Sequence, residues 1–429
     1  MKLSVIGTGY VGLVSASCFA DLGHEVIGVD CDRDRIRLLQ EGKVPFYEPG
    51  LQEVLQRAQS CGRLRFTIDT AEAVRNSEVI FITVGTPPRE NGDADLSAVT
   101  AATEAIASAM TGYRLIVEKS TVPVGTGERM RGQIQLVTRG TAPFDVACNP
   151  EFLREGSAVH DFLHPDRVVL GVASERSEKV LRELYRPFDC PIVVTDLATA
   201  ELIKHASNAF LALKISYINA VANICERVGA DVRQVADAMG YDRRIGRGYL
   251  DAGVGYGGSC LPKDVAAFVK IAREAGYEFR LLEEVARINE EQREVLLRHL
   301  RDALGVLSDR TVAVLGLAYK PNTDDVRAAP ALAFIERLRR EGAVVRAYDP
   351  AAEANASKLL PDIIYCPDPY EAARDSDAVV LLTEWEELRV LDLSRLREVM
   401  RRPILIDGRN CFDPSAARAL GYHYAGMGR

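Results

Sequence analysis

The pattern GTGYVG at residues 7–12 comes directly after a short apolar run, residues 2–6, and opens a stretch of helical character, residues 11–22. That context constrains the chain to a βαβ start. Gly7 permits the tight turn, Gly9 lets backbone approach a pyrophosphate, and Gly12 allows the helix to pack closely on the strand. The helix N-terminus then attracts phosphate through Tyr10 and Val11. A second strand, residues 25–29, ends at Asp30, from which a carboxylate bonds ribose hydroxyls and repels a 2'-phosphate. The expected cofactor is therefore NAD rather than NADP, with Arg33 and Arg35 the neighbours that bear on the choice. A bare GxGxxG is also found in ordinary glycine turns; the strand, the helix and the acid together set this one apart. Thr86, in VGTPP after a later strand, reads equally as a cofactor neighbour and as a plain strand-end turn.

Further strands are expected at 79–84, 115–118, 145–148, 168–171 and 192–194, separated by helical patterns, which implies a mostly parallel sheet covered on both faces. From 198 to 228 apolar residues recur at helical spacing, with neither Pro nor Gly before Gly229. This reads as one long helix bridging two lobes. More helix is expected over 265–275 and 283–304. The last third repeats the first: KLSVIGTGYVGL matches TVAVLGLAYKPN, LGHEVIGVD matches EGAVVRAYDP, and NSEVIFITVGTP matches DSDAVVLLTEW. The positions equivalent to Gly9 and Gly12 hold Ala318 and Pro321, so the repeat is read as keeping the fold and losing the dinucleotide site. The expected architecture is α/β. Two Rossmann-like domains with parallel sheets (1–197 and 306–429) are joined by a long central helix and a helical middle region (198–305).

Composition excludes several classes. The formal charge of −8 is spread along the chain, which argues against a nucleic-acid surface. No apolar run is long enough to span a bilayer, and the N-terminus reads as a strand rather than a signal peptide, so a cytoplasmic protein with no membrane partner is expected. The nine cysteines are scattered, without CxxC or mixed His/Cys spacing. That pattern suggests a reducing compartment, no disulfide framework and no metal site. Most of them, Cys18 and Cys225 among them, read as small core fillers.

Three segments look chemical. GYGGSCLPKD, residues 255–264, sets Cys260 after closely spaced glycines and just before Lys263 and Asp264. A cysteine near cations and a helix start suits a low-pKa nucleophile, although on spacing alone a structural thiol fits as well. NPEFLREGSA, residues 149–158, carries Glu151, Arg154 and Glu155 in an expected loop beyond a strand. The long helix carries Lys204 and Asn208 at i and i+4 amid apolar neighbours. Polar groups there are costly unless paired or facing a cleft; taken singly, each also reads as a solvated face.

These residues sit within a chain that resembles the UDP-glucose 6-dehydrogenase family of the UDP-glucose/GDP-mannose dehydrogenase superfamily. GTGYVGL, FITVGTP, EKSTVPVGT, NPEFLREGSA, KHASNAFLALKISYIN, RRIG, GVGYGGSCLPKD, LGLAYKPNTDDVR and DGRN carry the resemblance, in order and over nearly the full length. It implies two successive oxidations of a sugar C6 alcohol with two NAD+ and one water, through a thioester on Cys260. By resemblance Lys204 and Asn208 stabilise the oxyanion. Asp264 handles a water or the hydroxyl proton, and Glu151 with Thr121 assists proton transfer. Tyr249, Leu250, Asp251, Ala252 and Gly253 hold the uridine, and Gly257 admits the sugar. Glu151, Phe152, Leu153, Arg154 and Glu155 line the substrate, with Glu155 also on the nicotinamide side. Lys320 and Arg409 contact substrate from the C-terminal domain. Arg35, Thr86, Lys263 and Arg327 belong to the cofactor, as does Thr121. Arg244 reaches the partner's substrate in a homodimer. NAFLALKISYIN, RRIG and YLDAGVGYGG point to the UDP-glucose branch. GDP-mannose, a UDP-N-acetylhexosamine, or a non-catalytic sensor of NAD or a nucleotide sugar are the competing readings.

Overall fold

The computed structural model describes residues 1–89 and 93–429. They form two compact units, Met1–Ser207 and Asn208–Arg429.

The first unit is built on eight strands: β1 (Lys2–Ile6), β2 (Glu25–Val29), β3 (Leu64–Thr67), β4 (Val79–Ile82), β5 (Arg114–Glu118), β6 (Phe144–Cys148), β7 (Val168–Val172) and β8 (Ile192–Thr195). Their order is β3-β2-β1-β4-β5-β6-β7-β8. Every neighbouring pair is parallel except β6 with β7, which is antiparallel. The connection between those two turns back at one end of the sheet instead of crossing over it, and that geometry requires an antiparallel partner. The central strands read as continuous apolar runs because both faces are covered; all four residues of β4, VIFI, are buried. The helix Tyr10–Asp21 buries every residue from Gly12 to Ala20. Phe19 anchors it, with ring centroids 5.2 Å from Phe81, 4.9 Å from Phe162 and 5.9 Å from Tyr185.

The second unit contains β9 (Thr311–Leu315), β10 (Val344–Tyr348), β11 (Ile364–Tyr365), β12 (Ala378–Leu381), β13 (Ile404–Asp407) and β14 (His423–Gly426). The order β11-β10-β9-β12-β13-β14 is that of the first six strands of the other sheet, and all five pairings are parallel. The repeat extends to the glycine turn. Gly7 (φ +98°) and Gly316 (φ +92°) both adopt a conformation that favours glycine. Gly7 N–H donates to Val29 at 2.7 Å, and Gly316 N–H to Tyr348 at 2.8 Å. In the repeat, Asp349 stands where Asp30 stands in the first unit. One oxygen of its carboxylate accepts from the N–H groups of Leu317 (2.6 Å) and Ala318 (2.9 Å) and from the Trp385 indole (3.2 Å). The turn's own donors thus consume this acid.

The long helix spans Leu197–Val228, one residue earlier than the pattern predicts. Helices Leu261–Glu274 and Arg280–Leu304 begin three to four residues earlier than expected. The first does so because Pro262 occupies an opening position, where its missing N–H costs nothing. The cysteine expectation needs correction. All nine are free, but only Cys18, Cys148, Cys225 and Cys366 are buried, while Cys31 and Cys61 are exposed.

Phe19 makes its cluster a sensitive point. Replacing it with Ala is expected to lower stability by about 3–5 kcal/mol, read as a shift of the urea unfolding midpoint. An unchanged midpoint would contradict the packing.

Candidate active site

In the first unit the cofactor candidates gather at the carboxyl ends of β1, β2, β4 and β5, where the strand order reverses direction, the usual place for a dinucleotide. Gly12 is required by close approach, since a Cβ there would lie 1.8 Å from the Gly7 carbonyl oxygen. Gly9 starts the helix and brings no side chain to cap it, so the first-turn N–H groups of Tyr10, Val11 and Gly12 face phosphate-binding space in the sense the helix dipole favours. Asp30 closes β2, and its Oδ2 accepts from Thr8 N–H (2.8 Å), Thr8 Oγ1 (3.0 Å) and Arg35 Nη1 (3.0 Å). Burial raises its pKa, but the Asp32 and Thr8 N–H groups and the Arg35 guanidinium outweigh that and hold it below the ordinary value. Asp30 therefore stays an anion, as a ribose acceptor must. The uncapped helix, the glycine cradle and this carboxylate fit a dinucleotide without a 2'-phosphate.

Thr121 lies in the segment after β5, and its carbonyl accepts from Thr86 Oγ1 at 2.8 Å. The segment is clamped by the long helix. The Glu201 carboxylate accepts from Gly125 N–H (2.6 Å) and Gly127 N–H (2.7 Å), while His205 Nε2 sits 2.8 Å from the Val122 carbonyl. Neither Glu201 nor His205 was predicted; Glu201 precedes Lys204 by three residues on the same helical face, and that periodicity is the signal. Two more buried ionisable groups flank the segment. Burial pushes Glu118 up to about 8, against the Ser120 donors and with the Glu201 charge adding to it. Burial pushes Lys119 down to about 8, opposed by Glu151 and aided by Lys204.

The loop after β6 carries Glu151. Lys204 Nζ donates to the Glu151 carbonyl (2.7 Å) and to its Oε1 (3.0 Å), both side chains being about 5% exposed. The other Glu151 oxygen accepts from Leu153 N–H at 2.6 Å. Phe152 lies under the Arg167 guanidinium, 3.5 Å from ring centroid to Cζ, with Lys204 Nζ at 5.4 Å. Arg154 forks onto Asp161 (2.6 and 2.9 Å), and Glu155 is buried.

In the second unit, Asn208 Nδ2 donates to Asp264 Oδ2 and Lys263 Nζ to Asp264 Oδ1, each at 2.6 Å, and Asp264 is fully buried. Cys260 is the N-cap of the helix Leu261–Glu274, half-buried, with Ser259 Oγ 3.5 Å from its sulfur. Cys260 thus stands at the positive end of a helix dipole, one turn before the Lys263–Asp264 pair. Gly257 also has no room for a side chain, because a Cβ would meet the Ala328 oxygen at 2.3 Å. Arg409 bonds the Gly255 (3.3 Å), Tyr319 (3.2 Å) and Leu382 (2.8 Å) carbonyls and pairs with Glu384 (3.2 Å). It thereby fixes the glycine segment against its own unit. Tyr249 takes φ +64°, Leu250 and Ala252 are buried, and Asp251 is exposed and pairs with Arg247. Asn219, missed in the sequence, is fully buried and holds Gly253 N–H at 2.9 Å. Asn410 likewise holds the Ala252 carbonyl at 3.3 Å. Lys320 Nζ is 5.7 Å from the Tyr319 ring centroid, and Arg327 pairs with Asp325 at 2.7 Å. Arg244 is the most exposed of the predicted residues that form ion pairs, and its partner is Asp242.

Glu118 gives a pH test. An unfolded glutamate titrates near 4.5 and the native one near 8, so the native state holds the extra proton across that window. Its contribution is fully present below the ordinary value and is lost as pH rises towards 8. Glu118→Gln should flatten the fall of the thermal midpoint between pH 6 and pH 8.5. Parallel curves for variant and wild type would contradict this.

The model described as "UDP-glucose/GDP-mannose dehydrogenase family, NAD binding domain" matches residues 1–189, the central-domain model of the same family matches 198–291, and its UDP-binding-domain model matches 313–414. The UDP-glucose 6-dehydrogenase TuaD of Bacillus subtilis is 49% identical, over 100% of this chain and 93% of that protein. The UDP-glucose 6-dehydrogenase of Rhizobium meliloti is 47% identical over 100% of both chains. A solved UDP-glucose dehydrogenase from Pyrobaculum islandicum superposes with a TM-score of 0.94 at 42% identity, covering 99% of this chain and 97% of that one. With all three family segments present in order, and with the turn, the acid, the lysine and the cysteine each placed by the fold, the chain belongs to the UDP-glucose/GDP-mannose dehydrogenase family.

Proposed function

We propose that this chain oxidises UDP-glucose to UDP-glucuronate, with two NAD+ and one water per sugar, through a thioester on Cys260. The observation that carries the mechanism is Cys260 at the head of a helix, followed within one turn by Lys263 and a fully buried Asp264. A structural thiol has no need of that setting. The carboxyl-terminal half of the family match and the UDP-glucose 6-dehydrogenases named above support the substrate.

Bound NAD+ supplies the hydride acceptor for both oxidations. The chain's own groups manage protons and charge. The C6 hydroxyl gives up its proton, by way of water, to Glu151 with Thr121 or to Asp264, as the carbon is oxidised to an aldehyde. The Cys260 thiolate then adds to the carbonyl carbon, forming the C–S bond of a thiohemiacetal. The Lys204 ammonium and the Asn208 amide stabilise the oxyanion this creates. Loss of a second hydride leaves a thioester, and water displaces the thiolate to release the carboxylate. Asp264 serves here as the group that positions the water. Tyr249 to Gly253 hold the uridine, with Lys320 and Arg409 towards the substrate. Arg35, Thr86, Glu155, Lys263 and Arg327 belong to the cofactor's surroundings, and Phe152, Leu153 and Arg154 line the sugar side.

The reading extends to assembly and domains. Phe210, Tyr217 and Ile224 are exposed at seven-residue intervals on the long helix, with Val228 one turn beyond. An apolar seam of that spacing suits burial against a second copy, and Arg244 is proposed to reach the partner's substrate. The domains are taken as 1–197, 198–305 and 306–429. Among the described residues no helix is long and apolar enough to cross a membrane, and dependence on NAD+ favours the cytoplasm.

With limiting UDP-glucose and excess NAD+, two NADH per sugar are expected, with GDP-mannose inert. Cys260→Ser should lower full turnover by about a thousandfold or more. One NADH per sugar would remove the role given to Cys260. Turnover of another nucleotide sugar in place of UDP-glucose would overturn the substrate.

A further inference from the structure

Glu48 lies outside every motif the reaction uses, yet it is 6% exposed and its carboxylate meets two functional segments of the first unit. Oε2 accepts the Tyr10 hydroxyl in a short hydrogen bond and the Gly156 N–H at 2.5 Å; Oε1 accepts the Ala158 N–H at 2.7 Å. The Gly156 N–H also reaches the Tyr10 oxygen at 3.0 Å. Tyr10 is the first residue of the helix whose N-terminus forms the phosphate turn, and its ring packs on Phe46 with centroids 5.0 Å apart. Gly156 ends the loop that begins at Glu151. That loop is therefore pinned at both ends, by Lys204 on the Glu151 carbonyl and by Glu48 on the Gly156 N–H.

A buried carboxylate is expensive to keep unless its acceptors are filled. Burial raises the pKa of Glu48, against the pull of its hydroxyl and backbone donors. Two of the groups that satisfy it come from segments 146 residues apart in sequence. A shift of the phosphate turn must therefore move Tyr10, and through the shared carboxylate the carboxyl end of the loop bearing Arg154 and Glu155.

We propose that Glu48 and Tyr10 are positioning residues that couple dinucleotide binding at the glycine turn to the geometry of the 151–156 loop. This inference rests on the proposed UDP-glucose dehydrogenase reading. Neither side chain need touch a reacting atom. A purely structural role would weaken both ligands without changing how one affects the other.

The test is a linkage measurement. NADH and UDP-glucose cannot react with each other, so NADH affinity is titrated by fluorescence with and without saturating UDP-glucose. In the wild type the two affinities are expected to differ by about fivefold or more. In Glu48→Gln, and in Tyr10→Phe, which keeps the ring on Phe46, the ratio should fall to near one. Tyr10→Phe removes one hydroxyl and leaves the Gly156 and Ala158 donors on Glu48, so it is expected to stay folded at some cost in thermal midpoint, and the inference stays testable if the Glu48 variant folds poorly. A wild-type ratio of one, or a Tyr10→Phe ratio equal to that of the wild type, would overturn the coupling while UDP-glucose turnover stands. A wild type inert towards UDP-glucose would instead overturn the functional reading, and this inference with it.

Discussion

The first unit depends on an ion pair that water hardly reaches. Lys204 and Glu151 are about 5% exposed, 3.0 Å apart, and held further by the bond from Nζ to the Glu151 carbonyl. Withdrawing two such charges from water costs several kcal/mol per ion, and an apolar pair of the same volume often does as well for stability. Stability alone is therefore a weak reason to retain it. The pair does what an apolar contact cannot. It fixes a loop by its backbone and holds an ammonium in place on two acceptors of one residue. Rigid donors of that kind are the largest single source of rate in reactions that develop an oxyanion.

The long helix organises the rest by carrying several polar groups on one face. Glu201, Lys204, His205 and Asn208 are all buried and follow the three- and four-residue steps of one helical stripe. Glu201 and His205 hold the segment containing Thr121, Lys204 holds the Glu151 loop, and Asn208 holds Asp264. Within the first unit one rigid element thus sets two chemical segments, and rigid elements give tighter geometry than loops do. The two sheets show the complementary lesson. They share a strand order, a glycine turn and an acid bonded to that turn, yet the Asp349 oxygen takes two turn N–H groups and the Trp385 indole, whereas the Asp30 oxygen takes Thr8 and Arg35 beside a helix with no side-chain cap.

What was legible in the sequence follows from range. β1 and β2 could be placed to the residue because apolar runs, Gly7 and Asp30 are local signals. Lys204 and Asn208 were legible because the helical period sets them on one stripe. The opening of the cysteine helix was not, since Pro262 reads as a breaker until its place in the first turn is known. Glu48 was invisible for a different reason: its partners Gly156 and Ala158 lie 108 and 110 residues away, and no spacing rule joins them. Asn219 and Asn410 escaped likewise, because each serves a backbone group brought near only by folding. The antiparallel step from β6 to β7 was missed because strand patterns carry no direction.

The central claim is that substrate becomes covalently attached to Cys260, and the most direct measurement is the mass of the enzyme during turnover. Protein mixed with UDP-glucose and NAD+, quenched in acid within the first turnovers and digested, should yield a peptide spanning Cys260 that carries the sugar nucleotide as an acyl group. The adduct should be cleaved by hydroxylamine, as a thioester is. Steady four-electron turnover with an unmodified Cys260 peptide at every quench time, or with the adduct on another residue, would contradict the account.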